Sequence, residues 1–290
     1  MDKFKAIKRA SILGMIGNVF LLVIKGSIGV ITNSQGLIAA AFNSAGYIVS
    51  SIMTFIGNKI ASKPSDEDHN LGHGKAEYIY SMLISIAMMM MAFEVAKSSL
   101  LSLVNQGKFT FSIWLVVVCV TTIVVKFLLF IYTHSLYKKH NNLLLKANSK
   151  DHRNDCVITG INLLSCFLSL VGIYFVDGIV GLGISIWIFI TAVKIFKESY
   201  DVLMDKSISN ATKKRVYKII KCHPEVDKVT HFNSTPIGYQ YQISFTIYVD
   251  GNLSTFDSHN IANKLEKEIA CKIPEIYLTV IHVNPIEIEK

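Results

Sequence analysis

The sequence predicts an α-helical membrane protein with six transmembrane helices, followed by a small cytosolic α+β domain at the C-terminus. Of its 290 residues, 51% are hydrophobic and only 17% are charged, and the mean hydropathy is +0.42, which is unlike an ordinary soluble domain. After residue 203 the chain becomes polar and its hydrophobic runs become shorter. We therefore expect a six-helix transmembrane domain at 1–207 and a cytosolic dimerisation domain at 208–290.

Six mainly apolar runs are long enough to cross roughly 30 Å of hydrocarbon as helices. They lie near residues 9–31, 35–60, 78–104, 111–137, 145–175 and 178–203. The first run follows a basic stretch, but it is too long for a removable signal peptide and has no small-residue cleavage site. We expect it to remain in the mature chain.

The distribution of Lys and Arg predicts the orientation of these spans. The N-terminus and the loops after the second and fourth spans are basic, whereas the alternate loops are short and carry a single Lys. Because cytoplasmic loops retain positive charge, both termini are predicted to be cytoplasmic in a multi-pass plasma-membrane protein. This topology accounts for most of the net charge of +8, so no nucleic-acid partner is predicted. No nucleophile–base set, phosphate loop or cofactor motif is visible, and neither an enzyme nor a cofactor is expected.

The C-terminal part has the pattern helix, strand, strand, helix, strand (αββαβ). The corresponding segments are 207–223, 226–235, 239–250, 258–273 and 275–285, with Pro-Ile-Gly as the turn between the first two strands. This order predicts a two-layer, ferredoxin-like or metallochaperone-like domain with a three-stranded sheet. At roughly 80 residues such a domain gains stability from pairing, so we expect a homodimer.

Charged and polar residues inside the spans indicate where the chemistry takes place, because ionisable groups in hydrocarbon are costly unless they serve a pathway or have a partner. Asp151 and Asp155 are four residues apart and therefore share a helix face. If the fifth helix enters the membrane later, they belong to a cytosolic loop; otherwise they form a cation site. Lys25 and Lys126 also lie deep in spans, and the sequence does not identify their partners.

Two motifs, GHGKAE after the second span and DHRND in the fifth, resemble those of the cation diffusion facilitator family, in particular its manganese-associated bacterial branch. With the six-span layout and the α+β tail, the resemblance covers nearly the whole chain. It implies a membrane homodimer that exports divalent metal from the cytosol against inward proton flow. Alternating access around a site between spans two and five is the implied mechanism. The implied metal is Mn²⁺ first, with Zn²⁺ or Fe²⁺ next.

Carried over by position, the family's transport site falls on Asn43, Tyr47, Asp151 and Asp155. Tyr47 is a departure, since the family has an acidic residue there, and Ala40 is another. A Tyr oxygen is neutral near pH 7, with a reference pKa of about 10, so the site loses one negative charge. An alternative to efflux is therefore a transport-impaired or regulatory metal-binding subunit, or a variant of an active exporter.

A second metal site is implied in the loop after the second span, at Asp66, His69 and His73. The alternative is a solvated loop without metal. In the same resemblance, Lys75 and Asp205 match a pair that joins the membrane domain to the tail.

The tail carries a third set of matched positions, His231, His259 and His282. Phe245 and Asn284 stand where relatives have further ligands. We therefore expect a weakened or absent tail site.

Overall fold

The computed structural model describes residues 3–31, 35–105, 113–169 and 175–286, and it divides the chain into two compact units. The first unit contains residues 1–64 and 76–200, and the second contains residues 65–75 and 201–290. The elements in chain order are α1 (Lys3–Ile31), α2 (Gln35–Ala61), α3 (Ala76–Asn105), α4 (Ile113–His140), α5 (Leu143–Ser169), α6 (Phe175–Leu203), α7 (Asn210–Ile220), β1 (Lys228–Ile237), β2 (Gln240–Val249), α8 (Thr255–Lys272) and β3 (Ile276–Pro285).

Each of the six predicted spans coincides with one long helix, α1 to α6. Within the described ranges, three helices are long and apolar enough to cross a membrane by length and composition: Lys3–Ile31, Ala76–Leu101 and Ile113–His140. Many large apolar side chains on these helices point outward, as Phe20 and Leu128 do. An outward apolar surface is what a lipid environment requires.

Small and polar side chains bring α1 against α2 and α5. The Nδ2 of Asn18 donates to the backbone oxygen of Tyr47 at 3.1 Å and lies 3.2 Å from Oγ of Ser51. A Cβ on Gly14 would lie 3.0 Å from Oγ of Ser51 and 3.5 Å from Nε2 of His152. A side chain at position 14 would require Ser51 to shift, so this glycine permits the close approach of the helices.

Glu77 ties the beginning of α3 to α1 and α5. Its side chain is 4% exposed, and Oε2 lies 3.0 Å from Nζ of Lys3. Its Oε1 accepts a hydrogen bond of 2.7 Å from the backbone N–H of Leu143, the first residue of α5. The first N–H groups of a helix have no partner within the helix, and a carboxylate there satisfies one of them and interacts favourably with the helix dipole.

The second unit has the predicted αββαβ order. The sheet order is β1-β2-β3, with β1 antiparallel to β2 and β2 parallel to β3. Ser209 and Ser254 cap α7 and α8 by accepting hydrogen bonds from backbone N–H groups. Apolar residues of both helices and the sheet share one core that includes Val216, Ile243 and Leu265.

The hairpin turn lies later than the sequence indicated. Pro-Ile-Gly was expected to be the turn, but Pro236 and Ile237 pair with β2 and belong to β1. The turn comprises residues 238 and 239, and Gly238 has a φ of 60°, which glycine adopts without strain. Pro236 is tolerated because β1 is an edge strand.

Residues 65–75 belong to the second unit although they lie between α2 and α3 in sequence. Nζ of Lys75 donates to Oδ1 of Asp205 at 2.7 Å, so the pair suggested by the resemblance is formed. A Cβ on Gly74 would lie 3.2 Å from Cα of Gly238, which shows how closely the loop approaches the hairpin turn.

Replacing Glu77 by Ala is expected to lower the stability of the protein. The change leaves the N–H of Leu143 and the ammonium of Lys3 without this partner, and a buried donor left unsatisfied costs about 1–3 kcal/mol. The midpoint of thermal unfolding in detergent should fall by several degrees. Glu67→Ala, at an exposed loop position, should leave it unchanged, and equal midpoints for the two variants would contradict the assignment.

Candidate functional site

The two aspartates of α5 are buried inside the helical unit. Asp151 is 3% exposed and Asp155 is 5% exposed. They lie one turn apart on the same face of α5, a helix that contacts α1, α2, α3 and α4. Both residues are therefore helical and buried, and neither lies in a loop.

Tyr47 lies on α2 close to these carboxylates. It is 3% exposed, and it lies within electrostatic range of both Asp155 and Asp151. Its hydroxyl donates to Sδ of Met91 on α3 at 3.2 Å. Asn43 lies one turn earlier on α2, but its side chain, like that of Ala40, is outside the described part of the chain. The structure thus brings Tyr47, Asp151 and Asp155 together.

Lys126 reaches this group from α4. Its Nζ lies 2.8 Å from Oδ2 of Asp155, and the two side chains are 0% and 7% exposed. The same Nζ lies 3.6 Å from the centre of the Tyr47 ring. Lys25 on α1, 4% exposed, is also within electrostatic range of Asp155 and Lys126. Asp155 is thus the partner of Lys126 that the sequence did not identify.

A cavity of about 580 Å³ opens beside Asp155. Tyr47 and Met91 line it close to the site, and Glu94 and Asn162 add polar groups farther along. The lining comes mainly from the C-terminal halves of α3 and α5 and the N-terminal halves of α2 and α6. The cavity therefore extends from Asp155 towards one end of the helical unit.

The loop residues Asp66, His69 and His73 form a compact group in the second unit. Nδ1 of His69 lies 3.2 Å from Oδ1 of Asp66, and Nε2 of His73 lies 3.4 Å from Oδ2. Ligand atoms of a tetrahedral zinc ion, each about 2.0–2.1 Å from the metal, are separated by about 3.3–3.4 Å. The two histidines contact different oxygens of Asp66, and one ligand atom from each of the three residues lies within 4.8 Å of the other two, so the group could share one divalent ion.

The electrostatics of this loop favour metal binding. Desolvation raises the pKa of the Asp66 carboxyl group, but hydrogen bonds from His69 and the charges of His73 and His69 together lower this pKa below its usual value. The carboxylate therefore stays ionised to lower pH than a free aspartate. In the part of the chain that the structure describes, no other group of three or more His, Cys, Asp or Glu side chains has its ligand atoms within 4.8 Å of one another.

The three tail histidines do not converge within one chain. His231 lies in a β-bulge on β1 with a φ of 50°, and His282 lies on β3, across the central strand β2. His259 is on α8. All three are exposed. Phe245 is buried in the core, where its ring stacks on Phe232 at 5.9 Å.

Two residues with clear roles in this arrangement could not be assigned from the sequence. Lys126 was noticed as a deep charge, but its pairing with Asp155 is a contact between two helices. Glu77 stands inside the GHGKAE motif, and its position there was the available signal. Its function as a link between helices became visible only with the three-dimensional contacts.

Comparison with known families gives two adjoining matches. Residues 11–204 match the cation efflux transmembrane domain, and residues 208–286 match the cation efflux protein cytoplasmic domain. Together they cover nearly all of the chain. The predicted fold class, a helical membrane domain with a small α+β cytosolic domain, is confirmed.

Several relatives match this chain over nearly their whole length. The uncharacterised transporter MJ0449 of Methanocaldococcus jannaschii is 28% identical over 290 residues, covering 98% of this chain and 100% of that protein. The manganese efflux system protein MneP of Bacillus subtilis is 25% identical, covering 96% of both chains. The magnetosome protein MamB of Magnetospira sp. is 23% identical, covering 93% of this chain and 92% of that protein.

Replacing His69 and His73 together by Ala is expected to remove one bound Zn²⁺ per chain. Two of the three converging ligands are lost, and a carboxylate alone holds the ion weakly. The measurement is calorimetric titration of the detergent-solubilised full-length protein, with metal content checked by mass spectrometry. Asn70→Ala, an exposed change in the same loop, serves as the control. Unchanged stoichiometry in the double variant would contradict metal binding by this loop.

Proposed function

Since the chain belongs to the cation efflux family of divalent metal transporters, we propose that it exports Mn²⁺, with Zn²⁺ and Fe²⁺ as the next candidates. The observation that carries this proposal is the pair of buried carboxylates, Asp151 and Asp155, beside a cavity. Buried anions without a binding role are costly, and two of them on one helix face match the charge of a divalent ion.

The ligand chemistry supports manganese. The site offers carboxylate oxygens from Asp151 and Asp155 and, in the proposed set, the amide oxygen of Asn43 and the phenol of Tyr47. Oxygen ligands suit hard ions such as Mn²⁺, whereas zinc sites usually contain nitrogen or sulfur. The relative MneP, 25% identical, is named as a manganese efflux system protein.

The proposed orientation places both termini in the cytoplasm and the protein in the plasma membrane. The basic N-terminus and basic loops after α2 and α4 support it. The cavity then lies on the outward half of the helical unit, on the way from Asp155 past Glu94 and Asn162. We assign it as the release route of the metal.

Alternating access coupled to inward proton flow completes the proposed mechanism. The metal enters from the cytosolic side and exchanges its hydration water for the carboxylate oxygens. A tilt of the helices then opens the site outward. Protons compensate the carboxylate charge when the metal is released. Proton coupling follows the family resemblance and the need to balance the charge of the two aspartates when metal leaves.

We propose a homodimer formed through the C-terminal unit. The unit is small, and β3 is an edge strand with exposed apolar side chains, among them Tyr277 and Val280. Such an edge is normally covered in the native assembly. His231, His259 and His282 could meet a metal only through such pairing, because they lie apart in one chain.

A second candidate function is a transport-impaired or regulatory metal-binding subunit. The observation that favours it is Tyr47, which is buried where the family has an acidic residue and whose hydroxyl is engaged by Met91. One charged ligand is absent, and the ring occupies space beside Asp155.

Replacing Asp155 by Asn is expected to reduce Mn²⁺ flux by roughly tenfold or more, because affinity for a hard cation depends on the number of charged ligands. Flux is measured with reconstituted vesicles and a metal-sensitive dye, alongside a pH-sensitive dye for the proton current. Asp227→Asn, at an exposed tail position, is the control. Equal flux in the Asp155 variant and the parent would refute the site assignment.

Replacing Tyr47 by Asp is expected to increase Mn²⁺ flux over that of the parent, since it restores a negative charge beside Asp155. Tyr47→Phe removes the proposed phenol ligand and should lower the flux below that of the parent. The three proteins are compared in the same vesicles with Mn²⁺, Zn²⁺ and Fe²⁺. Flux in the Asp form alone would favour the transport-impaired subunit, whereas equal flux in all three would show that Tyr47 is no ligand.

A further inference from the structure

The ammonium group of Lys126 occupies a position where a transported cation would interact with Asp155. Its Nζ lies 2.8 Å from Oδ2 of Asp155, within the contact range of an ion pair, and Lys126 is fully buried. Lys126 comes from α4, whereas the proposed ligands are on α2 and α5. The site thus contains a cation of its own, attached to a neighbouring helix by a flexible four-carbon chain.

The buried charges around the site are balanced before any metal enters. In their ordinary ionised forms, the buried Lys25 and Lys126 carry two positive charges, and the buried Asp151 and Asp155 carry two negative ones. Apart from Glu77, which pairs with Lys3, these four are the buried Lys, Arg, Asp and Glu side chains in the described part of the helical unit. Adding a divalent ion while both lysines remain would leave two uncompensated charges in a medium of low dielectric, which is costly.

In the absence of metal, the ring of Tyr47 supports the ammonium. Nζ of Lys126 lies 3.6 Å from the centre of the Tyr47 ring, so the ring face is turned towards a cation. The hydroxyl lies 3.2 Å from Sδ of Met91 and also within hydrogen-bonding reach of Asp155. The aromatic residue in place of an acid thus provides a binding surface for Lys126 and forms one side of the Lys126–Asp155 pair.

We propose that Lys126 is an internal cation that competes with the transported divalent metal for Asp155 and so sets the affinity of the intramembrane site. The metal binds Asp155 only when the ammonium withdraws. On release, the ammonium returns to the carboxylate. This inference rests on the proposed function, because it assigns the regulation of the same site.

The competition also gives selectivity by charge. A monovalent ion offers Asp155 no more charge than the ammonium that it would displace, and it must lose its water as well. A divalent ion interacts with both aspartates at once, which compensates for displacing Lys126. The pair therefore excludes Na⁺ and K⁺ while admitting a divalent ion at a reduced affinity.

The experiment measures Mn²⁺ affinity of the full-length protein in detergent, in a background with His69→Ala and His73→Ala so that the loop does not contribute. Lys126→Met removes the charge at similar volume and is expected to tighten Mn²⁺ binding on the order of tenfold or more. Lys126→Gln is the second variant, in case the Met form is unstable, because its neutral amide can donate a hydrogen bond to Asp155. Lys126→Arg keeps the charge and should bind Mn²⁺ as weakly as the parent.

The gain in Mn²⁺ affinity on replacing Lys126 must depend on Asp155. Adding Asp155→Asn to Lys126→Met or to Lys126→Gln should abolish the tighter binding. The proposal is overturned if the folded neutral variants bind Mn²⁺ no more tightly than the parent, or if the gain persists without the carboxylate.

The outcome separates this inference from the proposed function. Tighter binding in the neutral variants together with no Mn²⁺ flux in vesicles would uphold the competition and reject transport. Flux in the parent with no change of affinity on replacing Lys126 would uphold transport and reject the competition.

Discussion

The cost of burying charge in an apolar helical unit is the constraint on which the proposed transport site depends. Asp155 is buried, and it is held next to Lys126 at 2.8 Å. An unpaired carboxylate in this position would strongly destabilise the fold, whereas a paired one is tolerated. The ion pair therefore compensates the buried charge of Asp155 in the absence of metal. Under the proposed competition, the same contact between α4 and α5 also limits the affinity for metal.

Another buried carboxylate, that of Glu77 in the GHGKAE motif, contacts the beginning of the helix that carries the two aspartates. It binds the first N–H of α5 and the ammonium of Lys3 on α1. A few residues earlier the same segment carries the loop histidines and Lys75, which pairs with Asp205. The GHGKAE motif thus has members in both units. The polar residues of the motif therefore make contacts in each of the two units, Glu77 in the first and Lys75 in the second.

Periodicity and composition were sufficient for the architecture. Long apolar runs predict helices because each backbone group must be satisfied within its own segment, and the alternation in the tail predicts the three strands. The four-residue spacing of Asp151 and Asp155 predicts a shared face, since it follows from the helix repeat alone. The hairpin turn was misplaced because Pro236 reads as a turn residue unless its strand is known to lie at a sheet edge.

The sequence by itself determined the helices, the order of the tail elements and the face on which the aspartates lie, because these depend on short-range repeats. Only the tertiary structure decided that Lys126 meets Asp155 and the ring of Tyr47, and that Glu77 holds the beginning of α5. These contacts join helices that are distant in sequence. No local pattern encodes them, since they depend on how the helices rotate and pack against one another.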